Sequence, residues 1–121
     1  MREGYAKQIQ NIEQLEMLEE KFGVNLVGLN AIFDNRSSLN GIPGASVEVF
    51  GEIHAVNGGV LGENIEIIGT AFDVNGKVIG TEKQSVDIEN FFAISPIKFY
   101  FFLTEMEEPA KLRIYPAKRP W

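Results

Sequence analysis

"TAFDVNGKVIGTE", residues 70–82, sets Asp73-Val74-Asn75-Gly76-Lys77 between two apolar, β-prone runs. Such a segment either holds a ligand or reverses the chain, and its residues favour reversal. Asn-Gly is the preferred pair for a two-residue type I′ hairpin, because both turn positions need φ > 0. The flanking runs "NIEIIGTAFDV" and "KVIGTEKQSVDI" then pair with Val74 opposite Lys77, Phe72 opposite Ile79, Thr70 opposite Thr81 and Ile68 opposite Lys83. One face of this ribbon is apolar near the turn through Phe72, Ile79 and Ile68. The other sets Ala71 against Gly80 and Gly69 against Glu82, a patch with almost no side-chain bulk that lets another element come close. Asp73 is expected to accept hydrogen bonds from turn amides. "DVNG" lacks the six coordinating positions and the distal Glu of an EF-hand loop, so calcium is not expected there.

Working outward, "VNLVGLNAIFDN" alternates Val27, Leu29, Ala31 and Phe33 on one face and predicts a strand over 24–34. "NRSSLNGIPGA", residues 35–45, is rich in turn formers and long enough to cross from one sheet to another. In "SVEVFGEIHAVN", Val47, Val49, Ile53 and Ala55 alternate against Glu48, Glu52 and His54, and "GGVLGE" marks a further turn. "SPIKFYFFLTE" puts Ile97, Phe99, Phe101 and Leu103 on one side with Tyr100 and Phe102 on the other, a pattern expected of a central strand. Pro96 is tolerated at its start. "AKLRIYP" predicts a last short strand ended by Pro116. The count is six strands, seven if residues 85–89 pair separately.

The N-terminal segment has a different period. Tyr5, Ile9, Ile12, Leu15, Leu18 and Phe22 recur at three- and four-residue spacings, with Glu13, Glu16, Glu19, Glu20 and Lys21 mostly on the other side. An amphipathic helix is expected, closed by Gly23 as a left-handed cap. Its apolar stripe is expected to lie on the domain's own sheet, over the bare patch at Gly69 or beside it.

The run "GEIHAVNGG…IEIIGTAFDVNGKVIGTE…ISPIKFYFFL" resembles the FxLYD domain family, small immunoglobulin-like sandwiches of bacteria and archaea, over about residues 47–104. Gly51, Glu52, Asn57, Phe72, Asp73, Gly76, Lys77, Val78 and Gly80 occupy the places of that family's pattern. The five-residue signature reads here Gly69-Thr70-Ala71-Phe72-Asp73, with Gly, Ala and Phe in place of the leading aromatic, the Leu and the Tyr. The resemblance implies a β-sandwich and no assigned activity. Members often sit in exported or envelope-associated proteins.

Composition narrows the function classes. A chain of 121 residues, 45% hydrophobic and 23% charged, suits one domain with its own core. A formal charge of −6 speaks against a nucleic-acid surface, which needs clustered Lys and Arg. The locally basic "KLRIYPAKRPW" reads as a short solvated tail. No run approaches the ~18 apolar residues of a membrane span, and the charged first residues lack the apolar core of a secretory signal. A chain starting naturally at Met1 is expected in the cytoplasm, and one that is part of a longer exported protein in the cell envelope.

Reactive groups are sparse. With no Cys and a single His54, three or four soft ligands for a transition metal cannot be assembled. No serine lies in a Gly-x-Ser-x-Gly elbow, and "GVLGEN" and "GIPGAS" precede no helix that could form a phosphate cradle. Glu48 and Glu52 read as a solvated strand face. No catalytic residue, cofactor or metal is expected.

The expectation is therefore an all-β, immunoglobulin-like antiparallel β-sandwich of six or seven strands with an N-terminal amphipathic helix. Its divisions are a helical segment (1–23), a sandwich domain (24–116) and a C-terminal tail (117–121). The expected role is a non-catalytic protein-interaction or structural module, through a partner protein or self-association at a sheet face or edge. The alternative is a small-molecule or carbohydrate-binding domain. Phe91, Phe92 and Trp121 are the candidate contacts, because stacking needs exposed aromatics.

Overall fold

A computed structural model describes residues 4–36, 38–39, 41–103 and 107–120. The strands are β1 (Ala6–Gln8), β2 (Ile12–Gln14), β3 (Val24–Asp34), β4 (Ser38–Leu39), β5 (Ile42–Pro43), β6 (Ala45–Ala55), β7 (Ile65–Phe72), β8 (Val78–Val86), β9 (Ile94–Leu103) and β10 (Lys111–Lys118). One α-helix, α1 (Glu16–Phe22), follows β2, and a 3-10 turn occupies Ile88–Asn90. Among the described residues the strands form two four-stranded sheets, β1-β3-β6-β9 and β2-β10-β7-β8, and a small hairpin, β4-β5. Alternating apolar side chains fill the space between the sheets, among them Phe33, Val47, Ile53, Ile67, Phe101 and Ile114.

The two-sheet sandwich is as expected from the sequence. Its strand order is not that of a constant-type immunoglobulin domain. With the seven strands β1, β3, β6, β7, β8, β9 and β10 lettered A to G, one sheet runs A-B-C-F and the other G-D-E, with β2 added beside G. A constant-type immunoglobulin domain runs A-B-E-D and G-F-C. The 35–45 loop does not cross between sheets, since β3 and β6 are antiparallel neighbours in one sheet. The crossing falls instead between β6 and β7. Residues 85–86 end β8 and form no separate strand.

The ribbon at 70–82 pairs as derived through its body: Ala71 with Gly80, Thr70 with Thr81, Gly69 with Glu82 and Ile68 with Lys83. Near the reversal it departs, and Phe72 meets Val78. Gly76 N donates to Asp73 O (3.1 Å) and Asp73 N to Lys77 O (2.9 Å), which makes Val74-Asn75-Gly76 a three-residue loop. Only Gly76 takes a positive φ (78°). One carboxylate favours this longer loop: Asp73 Oδ1 accepts from both Asn75 N and Lys77 N at 2.9 Å.

The expected N-terminal helix is shortened to its last seven residues. Residues upstream form strands because both sheets have an edge there to be paired. β1 lies antiparallel to β3, and Ile9 N donates to Ala31 O. The chain then changes sheets, and β2 lies parallel to β10. Ile9 is buried in the core between them. Edge pairing overrides a helical period here. Gly23 does cap α1 in the left-handed region, at φ 68°.

The bare patch is covered by β9, not by the helix. A Cβ built on Gly69 would stand 2.6 Å from Phe99 Cε2, and one on Gly80 would stand 2.9 Å from Leu103 Cδ2. In β3, an extra residue between Val27 and Asn30, with Gly28 at φ 66°, switches the inward parity. Val24 and Leu26 therefore point inward before the bulge, Ala31 and Phe33 after it, and Val27 lies outside.

Candidate functional site

β9, expected in the centre of a sheet, is an edge strand. Its inward row is apolar as derived, while Tyr100 on the other side is 67% exposed. Phe102 is half-buried, its ring against Gly44, where a Cβ would stand 2.6 Å from Cζ. The direction of the β9 main chain follows from alternation. Ala55 N donates to Ala93 O, so odd-numbered residues of β6 face β9, and Val49 meets Phe99. The peptide groups of Pro96, Lys98, Tyr100 and Phe102 consequently point away from β6, over the open side.

Part of that edge is sealed by a side chain. Gln84 on β8, the edge strand of the other sheet, donates from Nε2 to Pro96 O (2.9 Å) and accepts at Oε1 from Lys98 N (2.8 Å). One carboxamide thus stands in for a missing strand. Pro96, with no N–H, loses nothing at this position. The far edge carries a matching device at the part of β3 that β1 does not reach. Glu19 Oε1 accepts from Leu26 N (2.9 Å), and Gln14 Nε2 donates to Leu26 O (3.0 Å) and to Glu19 Oε2 (3.0 Å). Glu19, which the periodicity assigns to the polar side of a helix, is consequently only 6% exposed.

Beyond Gln84 the β9 edge is open. The carbonyl of Lys98 and the amides and carbonyls of Tyr100 and Phe102 have no backbone partner among the described residues. They border a groove of about 580 Å³ lined by Glu82, Lys98, Phe99, Tyr100 and Phe102. A larger hollow, about 800 Å³, lies along α1 and β3 beside Glu16, Glu19, Glu20 and Asn25. We favour the smaller one, because within the larger Glu19 and Gln14 already hold the amide and carbonyl of Leu26 on the β3 edge.

The expected aromatic contacts separate. Phe91 is 7% exposed and belongs to the core, whereas Phe92 is 81% exposed. Phe92 stands on a tight turn in which Ile94 N donates to Phe92 O (2.7 Å) and Ala93 takes φ 67°. A three-residue turn with positive central φ is strained for a residue other than Gly. Trp121 lies outside the described residues. The structure does not bring Phe92 to the β9 groove lining.

His54 Nε2 lies 3.0 Å from Glu52 Oε1 on the outer face of β6. On the outside of the second sheet, Arg113 Nε donates to Glu13 Oε1 (2.5 Å), while Lys111 and Arg113 lie 5.1 and 4.9 Å from the Phe72 ring centre. The hydrogen bond from Arg113 holds the Glu13 carboxyl below the usual carboxylate range, against a smaller opposing effect of burial. Asp34 is lowered in the same way by its side-chain hydrogen bond with Arg36. Among the described residues no group of three or more His, Asp or Glu is placed to hold a metal ion, and no helix is long and apolar enough to cross a membrane. No protein-family model, curated protein or solved structure matches the chain.

The edge is absent from the residues singled out by sequence, which are aromatic alone. Its signal lay in the hairpin register: Glu82 and Gln84 share the face of Gly80, on the inner side of the ribbon, where polar side chains are unusual unless something polar meets them.

Proposed function

We propose that the protein is a non-catalytic interaction module that takes up an extended segment of a partner protein along β9. The observation behind this reading is the outward-pointing row of peptide groups from Lys98 O to Phe102, set over a groove lined by Phe99, Tyr100 and Phe102 together with Glu82 and Lys98. Strand addition uses such a row for affinity and the flanking pockets for specificity. Unprotected edges are a hazard that proteins normally blunt, and here the neighbouring stretch is sealed while this one is not. The resemblance to the FxLYD family, carried by Gly51, Glu52, Asn57, Phe72, Asp73, Gly76, Lys77, Val78 and Gly80, brings no activity of its own, so the reading stands on the β9 edge alone.

Tyr100→Pro tests it. Tyr100 has the same orientation as Pro96, so the substitution removes an outward N–H and no bond of the β6–β9 ladder. A partner isolated on the wild-type protein should slow amide exchange at Tyr100 and Phe102, and should be lost with the variant, provided the variant's melting curve stays cooperative. A partner that binds the folded variant equally and leaves both amides unprotected would defeat the reading.

A second reading, stacking of a sugar ring, rests on Phe92 and on Ile94, two residues along the chain and also exposed. Retardation of the protein in gels containing soluble polysaccharide, abolished by Phe92→Ala, would favour it.

A further inference from the structure

We propose that Glu82 makes the β9 edge selective for an extended segment carrying a lysine or arginine, and that it keeps a second copy of this chain off the same edge. This inference rests on the strand-addition reading above. Glu82 is paired with Gly69, so it lies in the row Gly80-Glu82-Gln84 that faces β9. Gly80 meets Leu103 and Phe101 at one end of that row, and Gln84 meets Pro96 and Lys98 at the other. Glu82, between them, lines the groove beside Tyr100. It is exposed, and no ion pair forms on it among the described residues.

A strand added to β9 would turn alternate side chains to the two faces of the extended sheet. Those on the inner side look toward Glu82, where a cation is attracted and an anion repelled. Those on the outer side stand beside Tyr100 and Lys98. The preferred segment thus places its basic residue inward, out of phase with the residue next to Lys98. The formal charge of −6 draws a basic partner from a distance.

A second copy is disfavoured by the same carboxylate. A two-fold axis at Tyr100 would set Tyr100 opposite its equivalent and Lys98 opposite Phe102, an otherwise acceptable pairing. It would also bring two Glu82 carboxylates together beneath the axis. Inward-pointing charge is a known device against edge-to-edge association.

Two capped heptapeptides of alternating threonine and valine, one with a central lysine and one with a central glutamate, test the proposal. Each is titrated into isotope-labelled protein while the amide signals of Tyr100 and Phe102 are followed. The lysine peptide should bind roughly fivefold more tightly, the scale of an exposed cross-strand charge pair set against its repulsive counterpart. Glu82→Lys should reverse the order. Equal affinities with both amides shifting would overturn the charge selection and leave strand addition standing. If neither peptide moves those amides, strand addition and this inference fall together. In sedimentation, Glu82→Ala should self-associate at concentrations where the wild type is monomeric. A wild-type dimer joined through β9 would overturn the proposal, because a second copy would then be the occupant.

Discussion

Gly69→Ala adds one methyl where the inner face of β7 packs directly on the rings of Phe99 and Phe101 in β9. The new carbon would stand 2.6 and 2.7 Å from Phe99 Cε2 and Cζ, and 3.1 Å from Phe101 Cζ. Ordinary contact needs at least 3.4 Å, so the Phe99 ring must retreat by nearly 1 Å. Phe101 cannot yield, being 1% exposed in the middle of the core, whereas Phe99, at 9%, can swing toward the β9 groove. Overpacking of this kind costs about 1–3 kcal/mol. Removing a glycine from the unfolded chain returns about 0.4–1 kcal/mol. A net loss of about 1–2 kcal/mol remains. At about 3–6 °C per kcal/mol for a domain of this size, the melting temperature should fall by roughly 3–12 °C. Calorimetry or thermal circular dichroism measures it. Gly62→Ala is the control, because nothing lies within 4 Å of its Cβ position and its φ is ordinary. Phe99→Leu should relieve the clash, giving a double-mutant cycle with coupling of about 1 kcal/mol or more. Equal melting temperatures for Gly69→Ala and Gly62→Ala, or strict additivity in the cycle, would refute the account of the sheet contact.

Glu19→Ala should destabilise by about 1–3 kcal/mol in urea titrations, because the buried Leu26 amide loses its acceptor and the Gln14 carboxamide loses one of its two; Glu19→Gln, which keeps one acceptor, should cost less. Glu13 is held below 4.5 in the folded protein by Arg113, so its contribution is fully present above that value and is lost as pH falls through the lowered folded one. Melting temperatures followed from pH 6 to pH 3 should therefore decline less steeply for Glu13→Gln than for the wild type, and parallel curves would show that the Arg113 contact adds no stability.

The parts of the fold legible in the sequence are those in which side-chain alternation and turn chemistry act alone. Val47, Val49 and Ile53 could face only inward, and the register of Thr70 with Thr81 followed from a reversal near Asn75-Gly76. What failed depended on partners distant along the chain. Tyr5, Ile9 and Ile12 carry a helical period, yet open edges at β3 and β10 offered that segment backbone bonds it could satisfy only by extending. The apolar character of both faces of β9 suggested a central strand, but Phe102 covers Gly44 rather than another sheet. The switch of parity in β3 was hidden because Gly28 sits in an otherwise regular alternation, and only its positive φ reveals the bulge. The hairpin register set Glu82 on the inner face of the ribbon, but no local pattern says which edge of the other sheet lies opposite it.

The contrast between Glu82 and Gln84 bears on whether the β9 edge is open by accident. A carboxamide carries both a donor and an acceptor, as a peptide group does, so Gln84 can satisfy the carbonyl of Pro96 and the amide of Lys98 at once. Two residues earlier on β8, Glu82 lines the groove along the next repeat of the same edge, the carbonyl of Lys98 and the amide of Tyr100, and no hydrogen bond joins it to either among the described residues. An ionised carboxylate has only acceptors. It can offer nothing to that carbonyl, and its charge turns away any strand that brings another anion. Replacing one oxygen by an NH₂ would supply the missing donor, and the chain already uses that solution at position 84. The edge thus stops being sealed where the side chain changes from amide to acid, which is why we read the open stretch from Lys98 to Phe102 as a binding surface rather than as an unfinished sheet.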